Sequence, residues 1–247
     1  MAKAPRRVHG DAVRHAVTAP VALALSVLWW IAGLVLIVAL IAILKPLGRL
    51  RLRTRRRAAF VCAATLALLA VLAIMPPPLT TVTSPVSRLD EIAPAFHYNE
   101  VHERHVDAPP DRVYAAMKAT TAREIALFQT FTSIRRLGRP LPGSILNAPD
   151  TEPILDVALR AGFTVRAEDP PREFVVSTTV ARNVTAAMNF RIEPEDIGSR
   201  LTTETRVTGA DSAAIRPFTP YWRTILPGSW ILRVTWLDAI ARRAELN

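Results

Sequence analysis

The chain has 247 residues, half of them hydrophobic, with 31 Lys and Arg against 21 Asp and Glu and a single cysteine, Cys62. One cysteine excludes an internal disulfide framework and any cysteine-based zinc site. A net charge of +10 would suit a nucleic-acid binder, but its distribution excludes nucleic acid as a partner. Residues 1–57 carry eleven basic residues and one acid, Asp11, whereas residues 77–247 carry twenty of each sign.

The first segments in chain order are a basic tail, 1–15, and an uncharged stretch, 16–44. A helix needs about 20 apolar residues to cross a hydrocarbon core, so 16–44 is long enough to span with tilt. A secretory signal has a shorter apolar region of about 7–15 residues and a small-residue cleavage site; here Lys45-Pro46 follows instead. The loop 45–57 has seven Lys and Arg and no acid. A second apolar run, 58–75, offers water no polar face and ends at Pro76-Pro77-Pro78. Together these predict a two-helix transmembrane hairpin in a bacterial plasma membrane. The denser positive charge of the loop places it in the cytoplasm and the C-terminal domain outside. Ala59, Ala63, Ala67 and Ala70 recur at spacings that let helices approach closely in lipid, against the first span or a second copy in a homo-oligomer.

Residues 76–95, rich in Pro, Ser and Thr, read as an extended spacer. The remainder, 96–247, is long enough for one domain with its own core, and its neutral charge predicts that a fragment from about Ser87 folds alone. A strand is predicted over 97–107, then a helix opened by Pro109-Pro110-Asp111. A second helix is predicted to begin at Thr121 and Glu124, which form a capping-box pair, and to end at Gly138. A short helix over 154–161 and four strands over 163–168, 173–182, 185–192 and 199–208 follow. The last strand alternates cleanly, with Leu201, Thr203, Thr205 and Val207 on one face and Thr202, Glu204, Arg206 and Thr208 on the other. The chain ends in helix from about Ser212 to Glu245. Pro217, Pro220 and Pro227 forbid one straight helix over that length, so its main part is expected to start near Pro227.

This order is α+β. The segments HERHVDAPPDRVYAAM, EIALFQTFTSIRRLG, ILDVALRAGF, SRLTTETRV and, most specifically, FTPYWRTILPGSWILRVTWLDAIARRAE resemble the START / Bet v 1-like superfamily (polyketide cyclase/dehydrase type), in particular its membrane-anchored bacterial members. The resemblance implies a helix-grip fold, a curved antiparallel sheet around the long C-terminal helix, enclosing a cavity for an apolar small molecule or lipid. Phe128, Arg206, Trp222, Ile225 and Trp236 are the residues expected to line it. VVSTTV at 175–180, where a glycine is expected, and Pro217 before the last helix would narrow or reshape that cavity.

No catalytic motif is present: GxSxG, Walker, GxGxxG and Cys/His arrangements are all missing, and neither a cofactor nor a metal site is expected. His102-Glu103-Arg104-His105 superficially resembles a zinc-protease motif, but that motif needs two His four apart on a helix. On a strand these two point to opposite faces. Glu204 and Arg206 share a face and read as a solvated ion pair, unless that face lines the cavity, where Arg206 would hold a carboxylate or phosphate. The functional readings are therefore a membrane-anchored binder of an apolar molecule, a non-catalytic scaffold with a filled cavity, and a cyclase- or dehydratase-type enzyme.

Overall fold

The computed structural model describes residues 19–45 and 54–246; the basic tail and most of the basic loop lie outside the described residues. Two helices, α1 (Pro20–Leu44) and α2 (Arg55–Ile74), are long and apolar enough to cross a membrane. The two helices pack against each other, and the buried residues are mostly small: Ala22, Ser26, Ala32, Ala39 and Ala42 in α1 and Ala58, Thr65 and Leu72 in α2. Ala59, Ala63, Ala67 and Ala70 are exposed. The expected small-residue stripe therefore does not meet α1, because the face of α2 that does is one residue round the helix.

Beyond the hairpin come β1 (Thr80–Thr81), α3 (Arg88–Ile92), β2 (Ala95–Phe96), β3 (Tyr98–Val106), α4 (Pro110–Ala119), α5 (Phe128–Arg135) and α6 (Ile154–Arg160). Then follow β4 (Thr164–Asp169), β5 (Glu173–Ala181), β6 (Val184–Pro194), β7 (Ser199–Gly209), α7 (Ser212–Ile215) and α8 (Thr219–Leu246). The main sheet is antiparallel throughout, in the order β3-β7-β6-β5-β4. One face packs on α8 and the other beneath the 80–96 segment. Such an α+β arrangement is consistent with a helix-grip topology.

The inner core joins Phe174 and Val176 of β5, Met188, Phe190 and Ile192 of β6 and Leu201 of β7 to Trp236, Leu237, Ile240 and Ala244 of α8. Burial of such apolar area is the dominant favourable term in folding. Gly209 ends β7 where the chain turns back into α7. A Cβ there would lie 2.7 Å from the Ile215 Cβ, so only glycine fits.

The segment expected as a spacer is folded. Ser87 caps α3 and forms a reciprocal capping box with Asp90. Glu173 of β5 accepts from the Arg88 and Leu89 N–H groups at 2.8 and 3.2 Å, and Leu89 is fully buried. A five-residue helix has no independent stability in water; α3 exists because β5 supplies a carboxylate to its free N–H groups.

Two helices differ from expectation. Thr121 and Glu124 do bond, the Thr121 N–H donating to Glu124 Oε2 at 2.7 Å, but they close a turn. The helix starts only at Phe128, after Leu127 adopts a left-handed φ of 62°. Conversely, α8 starts at Thr219 and continues through Pro227. A proline inside a helix removes its own N–H and orphans the carbonyl four residues earlier, here that of Arg223. The Trp30 indole of α1 donates to this oxygen at 2.8 Å, so the hairpin replaces the bond that Pro227 cannot make.

Candidate functional site: the interior between the sheet and the last helix

Alternation along β3 sends Tyr98, Glu100 and His102 toward α8 and Asn99 outward. On the inner face the register sets Glu100 beside Thr205, and Thr205 beside Met188. Above this row run Ser229, Arg233 and Trp236 of α8, spaced four and three residues apart so that they share one helical face.

Glu100 and His102 are buried. The Ser229 hydroxyl donates to Glu100 Oε2 at 2.7 Å, and Glu100 Oε1 lies 2.9 Å from His102 Nε2. The His102 ring packs edge-on against Trp230 at 5.8 Å. A Ser–His–acid triad places the imidazole beside the hydroxyl it deprotonates. Here the order is different: the Glu100 carboxylate stands between Ser229 and His102, and the trio ties α8 to β3. His105 points the other way and bonds Glu195 and Asp107 at 2.6 and 2.9 Å, as strand alternation requires.

Arg233 is half-buried beside this trio. Its guanidinium lies over the Trp236 ring, 5.6 Å from the centroid, and touches the Met188 sulfur. Among the described residues, no carboxylate lies within ion-pair distance of it. Burial depresses its pKa from the ordinary arginine value, with Glu100 acting in the opposite sense. Thr205 Oγ1 and Trp236 Nε1 are buried close by without hydrogen-bond partners. Buried polar atoms are rarely left so, and this layer is where α8 crosses the middle of the sheet.

The residues expected to line a cavity fall in four places. Phe128 and Trp236 belong to the inner core, with Trp236 edge-to-face on Phe190 at 5.0 Å. Trp222 lies in a second cluster, 5.3 Å from Tyr98 and completed by Phe218 and by Ala22 of α1. Ile225 is half-buried on α8. Arg206 faces away from α8, beneath α3. There its Nη2 donates to Asp90 at 2.6 Å, its Nε to Glu204 at 2.7 Å and its Nη1 to the Ala93 carbonyl at 2.9 Å. The Glu204–Arg206 pair thus forms, but buried rather than solvated. Asp90 has its pKa held below the ordinary carboxylate value: burial acts to raise it, but the Val86 N–H, Arg206 and the Ser87 side chain together outweigh burial.

Sequence reasoning passed over Arg233, Glu100 and Ser229 as site residues. The four-residue step from Ser229 to Arg233 and the two-residue step from Glu100 to His102 were the available signals. A separate cleft of about 580 Å³ lies outside this interior, at the β5–β6 turn and the start of α8, lined by Val180, Asn183, Asp211, Ala214, Pro217 and Phe218.

The N-terminal half of α8 is held by the hairpin. Arg223, fully buried, donates to the Leu72 and Met75 carbonyls at the end of α2, the latter at 2.8 Å. It thereby satisfies helix-terminal oxygens that have no partner within α2. Ala19 N–H donates to Asn99 Oδ1 at 2.6 Å, tying the start of α1 to β3.

No protein-family model matches the chain, and no curated protein matches it. Among solved structures, protein MLL2253 from Mesorhizobium loti is 14% identical with a TM-score of 0.36, over 60% of this chain and 98% of that one. CalU16 from Micromonospora echinospora is 15% identical with a TM-score of 0.29, over 68% and 92%. The di-domain ARO/CYC BexL from the BE-7585A biosynthetic pathway is 14% identical with a TM-score of 0.31, over 77% and 56%. With TM-scores below 0.5, these likenesses decide neither family nor function.

Proposed function

We propose that the chain is a membrane-anchored START-like domain that holds an apolar small molecule or lipid between its sheet and α8. The observation that carries this reading is the double attachment of α8. Its first half is fixed to two helices apolar enough to span a bilayer, through Trp30 and Arg223, while its second half closes the sheet through Trp236, Leu237 and Ile240. A helix so placed lies on the route between lipid and the protein interior. The aromatic side chains around it suit that setting: Trp30 and Trp230 are largely exposed, and tryptophan is enriched at membrane–water interfaces.

One observation favours the second reading, a non-catalytic scaffold with a filled interior: Trp236 packs edge-to-face on Phe190 where a ligand would sit. Native mass spectrometry of the full chain, released from nanodiscs formed with bacterial lipid extract, separates the two. The binding reading predicts a discrete adduct of fixed mass and unit stoichiometry that survives exchange into a second lipid. A chain that flies only bare, or with a ladder of nonspecific lipids, selects the scaffold.

A further inference from the structure

We infer that the molecule held between the sheet and α8 carries an anionic oxygen head, a carboxylate or a phosphate monoester on an apolar tail, and that Arg233 receives it. This rests on the binding reading above and names its ligand class.

A charge taken out of water is costly unless it is paired. The buried arginines obey that rule: Arg206 bonds two carboxylates and a carbonyl, and Arg223 bonds two carbonyls. Arg233, half-buried, has no such oxygen acceptor. Its neighbours are the Met188 thioether, a weak acceptor, and the face of Trp236. Glu100 is not within ion-pair distance of Arg233, and its two oxygens are directed to Ser229 and His102. A guanidinium presents donors in a fixed fork that matches a carboxylate or phosphate, and here that fork meets a thioether and no oxygen.

Two further atoms in the same layer have no partner. Thr205 is 9% exposed and Trp236 6% exposed, and the Thr205 hydroxyl and the Trp236 indole N–H are both unpaired. Both can donate to an anion's oxygen, so a head group received by Arg233 would also answer two unsatisfied donors of this layer. The sheet residues beyond, Val176, Met188 and Phe190, are apolar core, a surface that would suit a hydrocarbon tail inserted beside α8. Neutral apolar molecules would leave the Thr205 and Trp236 donors unpaired and Arg233 without an anion, which makes the site selective against them.

The test uses the full chain in phosphatidylcholine nanodiscs and three probes bearing a diazirine on a sixteen-carbon chain: the carboxylic acid, its methyl ester and the alkyl phosphate monoester. Photolabelled peptides are mapped by mass spectrometry. Labelling of peptides containing Met188 or Trp236 is measured relative to α1 and α2, which corrects for partition into the bilayer. The acid, the phosphate or both should label the interior about tenfold more than the ester, as a charge-assisted pair predicts, and the stronger of the two names the head. Arg233→Gln should bring that ratio to about one, while Arg233→Lys, which keeps the charge, should retain part of it. Equal interior labelling by all three probes, or an unchanged ratio in Arg233→Gln, overturns the anionic head while leaving apolar uptake standing. Interior labelling no higher than background for every probe overturns both.

Discussion

Replacing Arg206 by methionine should destabilise the full chain by about 3–5 kcal/mol, the cost of breaking a buried pair and stranding its charges. The guanidinium lies under α3 between Asp90 and Glu204, both buried, and stacks on Phe96 at 4.8 Å. Without it, Asp90 keeps only the Val86 and Ser87 N–H groups, and Glu204 keeps only the Asn99 amide among its side-chain partners. Thermal melts of the two proteins in the same detergent check the figure, and a loss below about 1 kcal/mol would show the network to be solvated. The same network sets an acid limit. The Asp90 carboxyl is held below its ordinary value in the folded state. Its contribution is therefore present above the unfolded value of about 3.9 and is lost as pH falls through the lower folded value. In Arg206→Met the part of this pH dependence that comes from the guanidinium should vanish.

Trp236→Ala should cost a comparable amount, about 3–5 kcal/mol for a buried aromatic, against a typical domain stability of about 5–15 kcal/mol. Trp236 touches the core from α8 and meets Phe190 edge-to-face. Trp236→Phe keeps most of that contact and removes an indole N–H that has no partner, so its cost should stay below about 1.5 kcal/mol. Calorimetry on the three proteins gives both values. Similar losses for Ala and Phe would mean that the N–H, not the ring, supports the fold.

Both results depend on placements that sequence shows unevenly. The two faces of β7 were readable, because a strict period of two leaves Leu201 and Val207 only one side on which to be buried. The strands and α4, α6 and α8 were readable for similar reasons. α3 was not, because five residues among prolines carry no periodicity and owe their helix to Glu173, more than eighty residues away. Continuity of α8 through Pro227 was not, because the carbonyl left open is closed by Trp30, 193 positions earlier in the chain. Thr121 and Glu124 announced a helix and made a turn, since capping chemistry is local and the chain beyond it reverses at Leu127. For the site, Trp236 was legible as an inward residue of the last helix. What marks Arg233, the lack of a carboxylate within ion-pair distance, is a property of three dimensions only.

These long-range contacts also change the expectation that a fragment from Ser87 folds alone. Such a fragment loses β1, the Ala22 contact to Trp222 and both carbonyls that Arg223 serves. Hydrogen exchange of the full chain in nanodiscs tests most directly whether one helix serves both hairpin and sheet. Amides of residues 223–230 should be protected as strongly as those of 234–244, and Trp30→Phe, by reopening the Arg223 carbonyl, should release the first group while leaving the second protected. Rapid exchange over 223–230 in the unmodified chain, or identical profiles with and without the Trp30 indole, would contradict a helix held at both ends.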